Sequence, residues 1–196
     1  MTSSYYTKFA TINELMNYQF SKSRYNPGFV KRLNNRYNAR MLENINEFRQ
    51  MLGLNPLLSA IDHVHKDTIS NMISNTIMRH TDNIKDDIRM FDDYVVDFEN
   101  VLSQTNIIGL GFQLTPEAIA DYIFKSILIE SEYIFDGDVS NWLHLKNIVK
   151  TNNTLFLGTL FISDYAINNK GTEPFSDIEQ HTYNLTIVDR FITKYN

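Results

Sequence analysis

Hydrophobic spacing changes period along this chain, and that change decides its fold class. Leu57, Leu58, Ile61, Val64, Ile69, Met72, Ile73, Ile77 and Met78 recur at helical intervals, which predicts one amphipathic helix from 57 to about Arg79. Between 94 and 99 the pattern becomes alternation, with Tyr94, Val96 and Phe98 set against Val95, Asp97 and Glu99. That is a strand, and it gives Glu99 one defined face. A chain that switches period in this way is neither a helical bundle nor an all-β barrel.

The flanking segments fill in the order. Residues 1–40 read as an N-terminal extension, with a short helix near 11–20, a turn at Asn26-Pro27-Gly28 and a second helix from about 29. Met41, Leu42, Ile45, Phe48 and Met51 predict a helix over 38–52, and Gly53 stands where a helix C-terminus favours glycine. Thr115-Pro116-Glu117 is a helix start leading into the stripe Ile119, Ile123, Ile127 and Leu128. Residues 142–149 predict a short helix, and 154–162 and 182–188 two strands, read as an antiparallel pair. The expectation is an α+β domain over 41–196, a small antiparallel sheet flanked by helices, preceded by the 1–40 arm.

Composition narrows the function classes. With 43% hydrophobic and 21% charged residues, the chain can build a core and is not disordered. The absence of cysteine removes disulfides, thiolate nucleophiles and Cys-type zinc sites, so any metal must be held by His, Asp or Glu. No apolar run approaches the ~20 residues of a membrane span, and no secretory signal profile is visible at the start. Residues 1–50 carry 8 Lys and Arg against 3 Glu, while the rest carries 10 against 20 acidic residues. That acidic remainder repels phosphate, so nucleic acid is not the expected partner. Tyr5, Tyr6, Tyr18, Phe20, Tyr25, Phe29 and Tyr37 make the basic arm a candidate contact with a protein partner or a second copy.

Five histidines are the scarce reactive groups. His63 and His65 lie two apart, so on a helix they point about 200° apart and make a poor metal pair; His181 sits in a polar loop. His80, at the end of the predicted helix, and His144, two residues after the only Trp, remain the better candidates.

The ordered motifs over residues 42–190 resemble the CAP superfamily of cysteine-rich secretory, antigen 5 and pathogenesis-related proteins. Leu42-Glu43-Asn44-Ile45-Asn46-Glu47-Phe48-Arg49 and then Leu52-Gly53-Leu54-Asn55-Pro56-Leu57 look like the family's Asn-x-x-Arg and Gly-Leu-x-Pro-Leu. A helix ending in His80, then Phe98-Glu99-Asn100-Val101, then Asn141-Trp142-Leu143-His144-Leu145-Lys146-Asn147-Ile148 follow in family order, and Phe156-Leu157-Gly158-Thr159-Leu160 resembles the next strand. The resemblance implies an α-β-α sandwich with a cleft of two His and two acidic residues able to hold a divalent ion such as Zn²⁺. His80, Glu99 and His144 take three of those places. The fourth falls at Ser126 in one register, with Glu130 and Glu132 a turn or more beyond. Phe98 and Leu143 stand where the family has glycine.

These readings give a non-enzymatic binding module, with Glu130, Glu132 and Trp142 as binding candidates beside the metal trio, no required cofactor and a lipid, cell-wall or protein ligand. The Asn-rich, Cys-free composition fits a phage or other virion component. The alternative is a metal-assisted protease or amidase acting on cell-wall material, in which an ion lowers the pKa of its bound water and a second Glu serves as general base.

Overall fold

A computed structural model describes residues 27–81, 89–104, 115–132, 142–150, 154–164 and 183–195, with the side chains of 27–33, 80–81, 103–104, 162–164 and 183–185 outside that description. The elements are α1 (Pro27–Met51), β1 (Leu58–Ser59), α2 (Ala60–His63), α3 (Lys66–Thr81), β2 (Met90–Phe91), β3 (Tyr94–Gln104), α4 (Pro116–Ile129), α5 (Leu143–Lys150), β4 (Leu155–Asp164) and β5 (Tyr183–Lys194). The strands form one sheet in the order β1-β4-β5-β3-β2. Every pair is antiparallel except β1 with β4, which is parallel. The α+β class holds; the sheet is mixed where an antiparallel one was expected.

Alternate strand residues feed two cores. Phe156, Leu160, Ile187 and Phe191 face α1, α4 and α5 through Met41, Ile45, Ile123, Ile127 and Leu145. Leu157, Phe161, Val188 and Ile192 face α3 through Ile69, Met72, Ile73 and Ile77. Helices thus cover both faces of the sheet, and β4 and β5 carry apolar residues on both sides.

The 1–40 boundary is corrected. The helical stretches expected from about 29 and over 38–52 are a single helix, α1, whose Tyr37 is fully buried in the first core. It ends as Gly53 predicted, with φ +71° and paired bonds from Gly53 N to Gln50 O (3.0 Å) and from Leu54 N to Arg49 O (2.9 Å). Residues 27–40 therefore belong to the domain. Asn34 Oδ1 accepts from Leu160 N (2.6 Å) and Asn38 Oδ1 from Gly158 N (2.8 Å), so α1 satisfies the β4 amides where β1 has already ended. The spacings agree: four helical residues rise about 6 Å, and two strand residues about 6.6 Å. Deleting residues 1–36 is expected to cost at least about 1–3 kcal/mol, because it leaves the buried Leu160 amide unpaired, whereas deleting 1–26 spares every bond named here. Urea denaturation of the two truncated chains distinguishes them.

The long helix expected over 57–79 is also revised. Asn46 holds Leu57 by both backbone groups, through Leu57 N to Oδ1 (2.8 Å) and Nδ2 to Leu57 O (3.0 Å), and Leu58 N donates to Thr154 O (3.3 Å). That clamp keeps 57–59 extended. Helix resumes at Ala60, breaks at the extended Val64 and restarts at Lys66. Arg49 completes the corner by donating to Asn55 O (2.7 Å) and Ile148 O (2.6 Å). On the outer layer, Arg36 pairs with Glu117, and Arg40 and Asn44 with Asp121, while Phe48 meets Phe124 edge-on. Both helices advance together along that ladder, so α1 and α4 run side by side in the same direction.

Candidate functional site

A bulge decides where Glu99 points. Val95 and Val96 pair with Thr193 and Ile192, but the next partner of Phe191 is Phe98, so Asp97 is an extra residue in β3. One inserted residue swaps the faces of everything after it. Val96 lies in the α3 core, whereas Phe98, expected on the same face, packs against the opposite one. Glu99 is consequently turned toward α3, and Asn100 toward α5.

On the α3 side Glu99 meets two arginines. Oε1 accepts from Arg190 Nε (2.6 Å), its partner across the β3–β5 pair, and Oε2 accepts from Arg79 Nη2 on the last turns of α3. The Glu99 side chain is 8% exposed and that of Arg190 0%. Arg190 is further held by Met72 O (2.9 Å) and Asn75 Oδ1 (3.2 Å), with its guanidinium 5.5 Å from the Phe91 ring centroid. Burial pushes the Glu99 carboxyl up, but the Arg190 and Arg79 charges outweigh it and hold the group below the ordinary glutamate value. It is a weak base with a cation on each oxygen.

On the α5 side Glu130 and His144 form their own pair. Glu130, in the 3₁₀ turn that ends α4, places Oε1 2.5 Å from His144 Nδ1, and its Oε2 accepts from Leu145 N (2.9 Å). The carboxylate thereby caps the start of α5, supplying an acceptor and a negative charge at the positive end of that helix. Asn100 ties the same turn to the sheet: its Nδ2 donates to His144 O (3.1 Å), and its Oδ1 accepts from Asn147 Nδ2 (2.8 Å).

Placed one by one, the expected residues separate into two groups. Glu130 rather than Ser126 or Glu132 reaches His144; the Ser126 hydroxyl is spent on Tyr122 O, and Glu132 is exposed. Trp142 is half-buried, with the Lys146 ammonium 5.6 Å from its ring centroid. No contact joins Glu99 to His144 or Glu130 among the described residues. His80 lies on the last turn of α3, and its side chain falls outside the description, as does all of His181. His63 and His65 are exposed, and Asp67 N donates to His65 Nδ1 (3.4 Å) at the start of α3.

The divalent ion implied by the resemblance does not fit the two carboxylates, Glu99 and Glu130. Both oxygens of Glu99 face guanidinium groups, so a dication there would meet two positive charges, and both oxygens of Glu130 are already accepting. Among the described residues no group of three His, Asp or Glu could hold a metal. A concavity of about 970 Å³ lies elsewhere, along α1 between Arg36, Leu42, Asn46, Ile61 and Asp62, and none of the candidate residues lines it.

Sequence reasoning missed Arg79 and Arg190. The signal was present in the run Ile187-Val188-Asp189-Arg190-Phe191-Ile192, where apolar residues bracket the charged pair on both faces. The strand expected to stop at Val188 instead runs to Lys194. No helix among the described residues is long and apolar enough to cross a membrane. Compared with known proteins, the chain matches no family model, no curated protein and no solved structure.

Proposed function

We propose that this chain is a non-catalytic binding module built on a CAP-like α-β-α domain. The reading rests on what the candidate acids and bases are doing. Hydrolysis needs a carboxylate or imidazole free to take a proton from water. Glu99 is neutralised by two guanidinium groups, and Glu130 spends both oxygens on His144 and on the α5 cap. Glu99 therefore lacks the basicity of a general base and Glu130 lacks a free oxygen, which leaves the His144 ring as the group the turnover test below must address.

The CAP-like part of the proposal is supported by where the motif residues act. Asn46 and Arg49 of the Asn-x-x-Arg motif pin the 55–58 corner, and Asn100 and Asn147 weld α5 to β3. Motif residues engaged in such buried bonds suit a scaffold that presents a surface. Of the arm expected over 1–40, residues 1–26 are the part we assign to a protein partner or a second copy, since Tyr37, Met41 and Ile45 of α1 are buried within the domain.

The full chain is expected to show no turnover of casein or peptidoglycan, with or without added Zn²⁺. Turnover abolished by both His144→Ala and Glu130→Gln overturns the proposal in favour of the hydrolase. The assembly claim has its own readout. In sedimentation velocity the chain lacking residues 1–26 should stay folded and lose association, and unchanged association removes that assignment.

A further inference from the structure

Asp189 is a fully buried carboxyl group with one hydrogen-bond donor. The Tyr37 hydroxyl lies 3.0 Å from Oδ1 and 3.3 Å from Oδ2, and the Asp189 carboxyl makes no other hydrogen bond or ion pair among the described residues. Its register neighbours are Asn100 on β3 and Gly158 on β4. Gly158 is what lets Tyr37 reach it: a Cβ there would lie 2.7 Å from Tyr37 Cε1.

The groups around this carboxyl offer it no counter-charge. From α1 the titratable neighbour is Tyr37 itself, while Asn34 and Asn38 accept from β4 amides through Oδ1, the buried Asn34 Nδ2 having no hydrogen-bond partner among the described residues. From β3, Asn100 is committed to His144 O and Asn147; from α5, the His144 ring is held by Glu130. From α4 the same core receives Ile119, Ala120 and Ile123. Arg190, next in sequence, projects to the opposite face and binds Glu99, and Arg49 donates to carbonyls at the far end of α1. An ionised carboxylate in this position must either stay desolvated with one hydroxyl for company or open the seam to water.

We propose that Asp189 and Tyr37 form a protonation-sensitive latch, which fastens α1 to the sheet while the carboxyl is neutral and lets that seam open once it ionises. Burial pushes the Asp189 carboxyl up to about 7 from its ordinary 3.8, and the Tyr37 hydroxyl pulls in the other direction. Because the folded value is the higher one, the stabilisation is complete below pH 3.8 and is lost as pH rises through about 7. Each pH unit in that interval changes the unfolding equilibrium about tenfold, roughly a thousandfold in all.

The test uses the full chain, Asp189→Asn and Tyr37→Phe, unfolded in urea between pH 4 and 9, together with hydrogen exchange at the Gly158 and Leu160 amides. Relative to Asp189→Asn, the wild-type unfolding constant should rise up to about a thousandfold and then level off near pH 7. Tyr37→Phe should move the levelling point to higher pH, because the donor that favours the carboxylate is gone. Exchange at Gly158 and Leu160 should quicken with pH beyond its base-catalysed trend in the wild type and not in Asp189→Asn. A pH-independent ratio between wild type and Asp189→Asn overturns the latch. Should Asp189→Asn not fold, the Asp189 carboxyl ¹³C titration in the wild type decides: a midpoint near 4 overturns the latch, and one near 7 supports it.

Discussion

Arg190→Met should cost about 3–5 kcal/mol, the range for removing one partner of a buried ion pair. The substitution keeps an apolar stem of similar length, so the loss reports the charge and its bonds rather than a large cavity. Glu99 would keep Arg79 but lose its partner on Oε1, and the Met72 carbonyl and Asn75 amide would lose their donor. Arg79→Met should cost less, since the Arg79 side chain is 16% exposed against 0% for Arg190. A Glu99→Leu, Arg190→Met double variant should recover much of the loss, because it removes the stranded carboxylate as well. Acid sensitivity must change in step. Glu99 is held below its ordinary value, so its contribution is present above the unfolded glutamate pKa and is lost as pH falls through the folded one. Arg190→Met should shrink that acid-side loss. Urea denaturation at pH 3 to 7 measures all of this, and a single-variant cost under about 1 kcal/mol would show that the pair is not an anchor.

Phe191→Ala is the second large effect, again about 3–5 kcal/mol. Phe191 is 0% exposed, opposes Phe98 and Phe156 across the sheet, and meets the Phe156 ring edge-on at 5.8 Å between centroids. Its removal opens a void under α1 and also forfeits the aromatic pair, worth ~0.5–1.5 kcal/mol of the total. Neighbours on two strands and two helices are fixed by other contacts, so the void cannot close by collapse. In thermal unfolding of a chain this size each kcal/mol moves the midpoint by about 2–4 °C. Val101→Ala, at a site 38% exposed, serves as the control and should stay within about 0.5 kcal/mol.

The sequence was most legible where one residue type has one physical use. Gly53 ends α1 in a left-handed conformation, and Thr115 caps α4 through its hydroxyl ahead of Pro116. Such features are local, and spacing alone reveals them. Features that depend on a distant partner were not visible in this way. Tyr37 reads as an exposed aromatic in a basic arm until Asp189, 152 residues later, is seen to receive its hydroxyl. Periodicity located β3 but not its run on to Gln104, and it aimed Glu99 wrongly, because alternation assumes an unbroken ladder and Asp97 breaks it. The Glu130–His144 pair was reachable only as one of several registers, since a helix end followed by a turn leaves the reach of a carboxylate open. Asp189 and Arg190 were discounted as a strand end for a similar reason: a charged residue looks buried only once its cross-strand partner is known.

The asparagines of α1 that bind β4 also govern which associations the domain permits. Leu155-Phe156-Leu157-Gly158-Thr159-Leu160-Phe161-Ile162 is an uncharged, proline-free, strongly apolar stretch, the composition from which cross-β stacks nucleate. Past the short β1 it would present open amides at the margin of the sheet, a ready template for an incoming strand. Asn34 and Asn38 occupy two of those amides from the side, acting as a counterfeit strand that another chain cannot extend. For as long as α1 remains seated, those two amides stay closed to an incoming strand and this amyloid-like segment stays covered there.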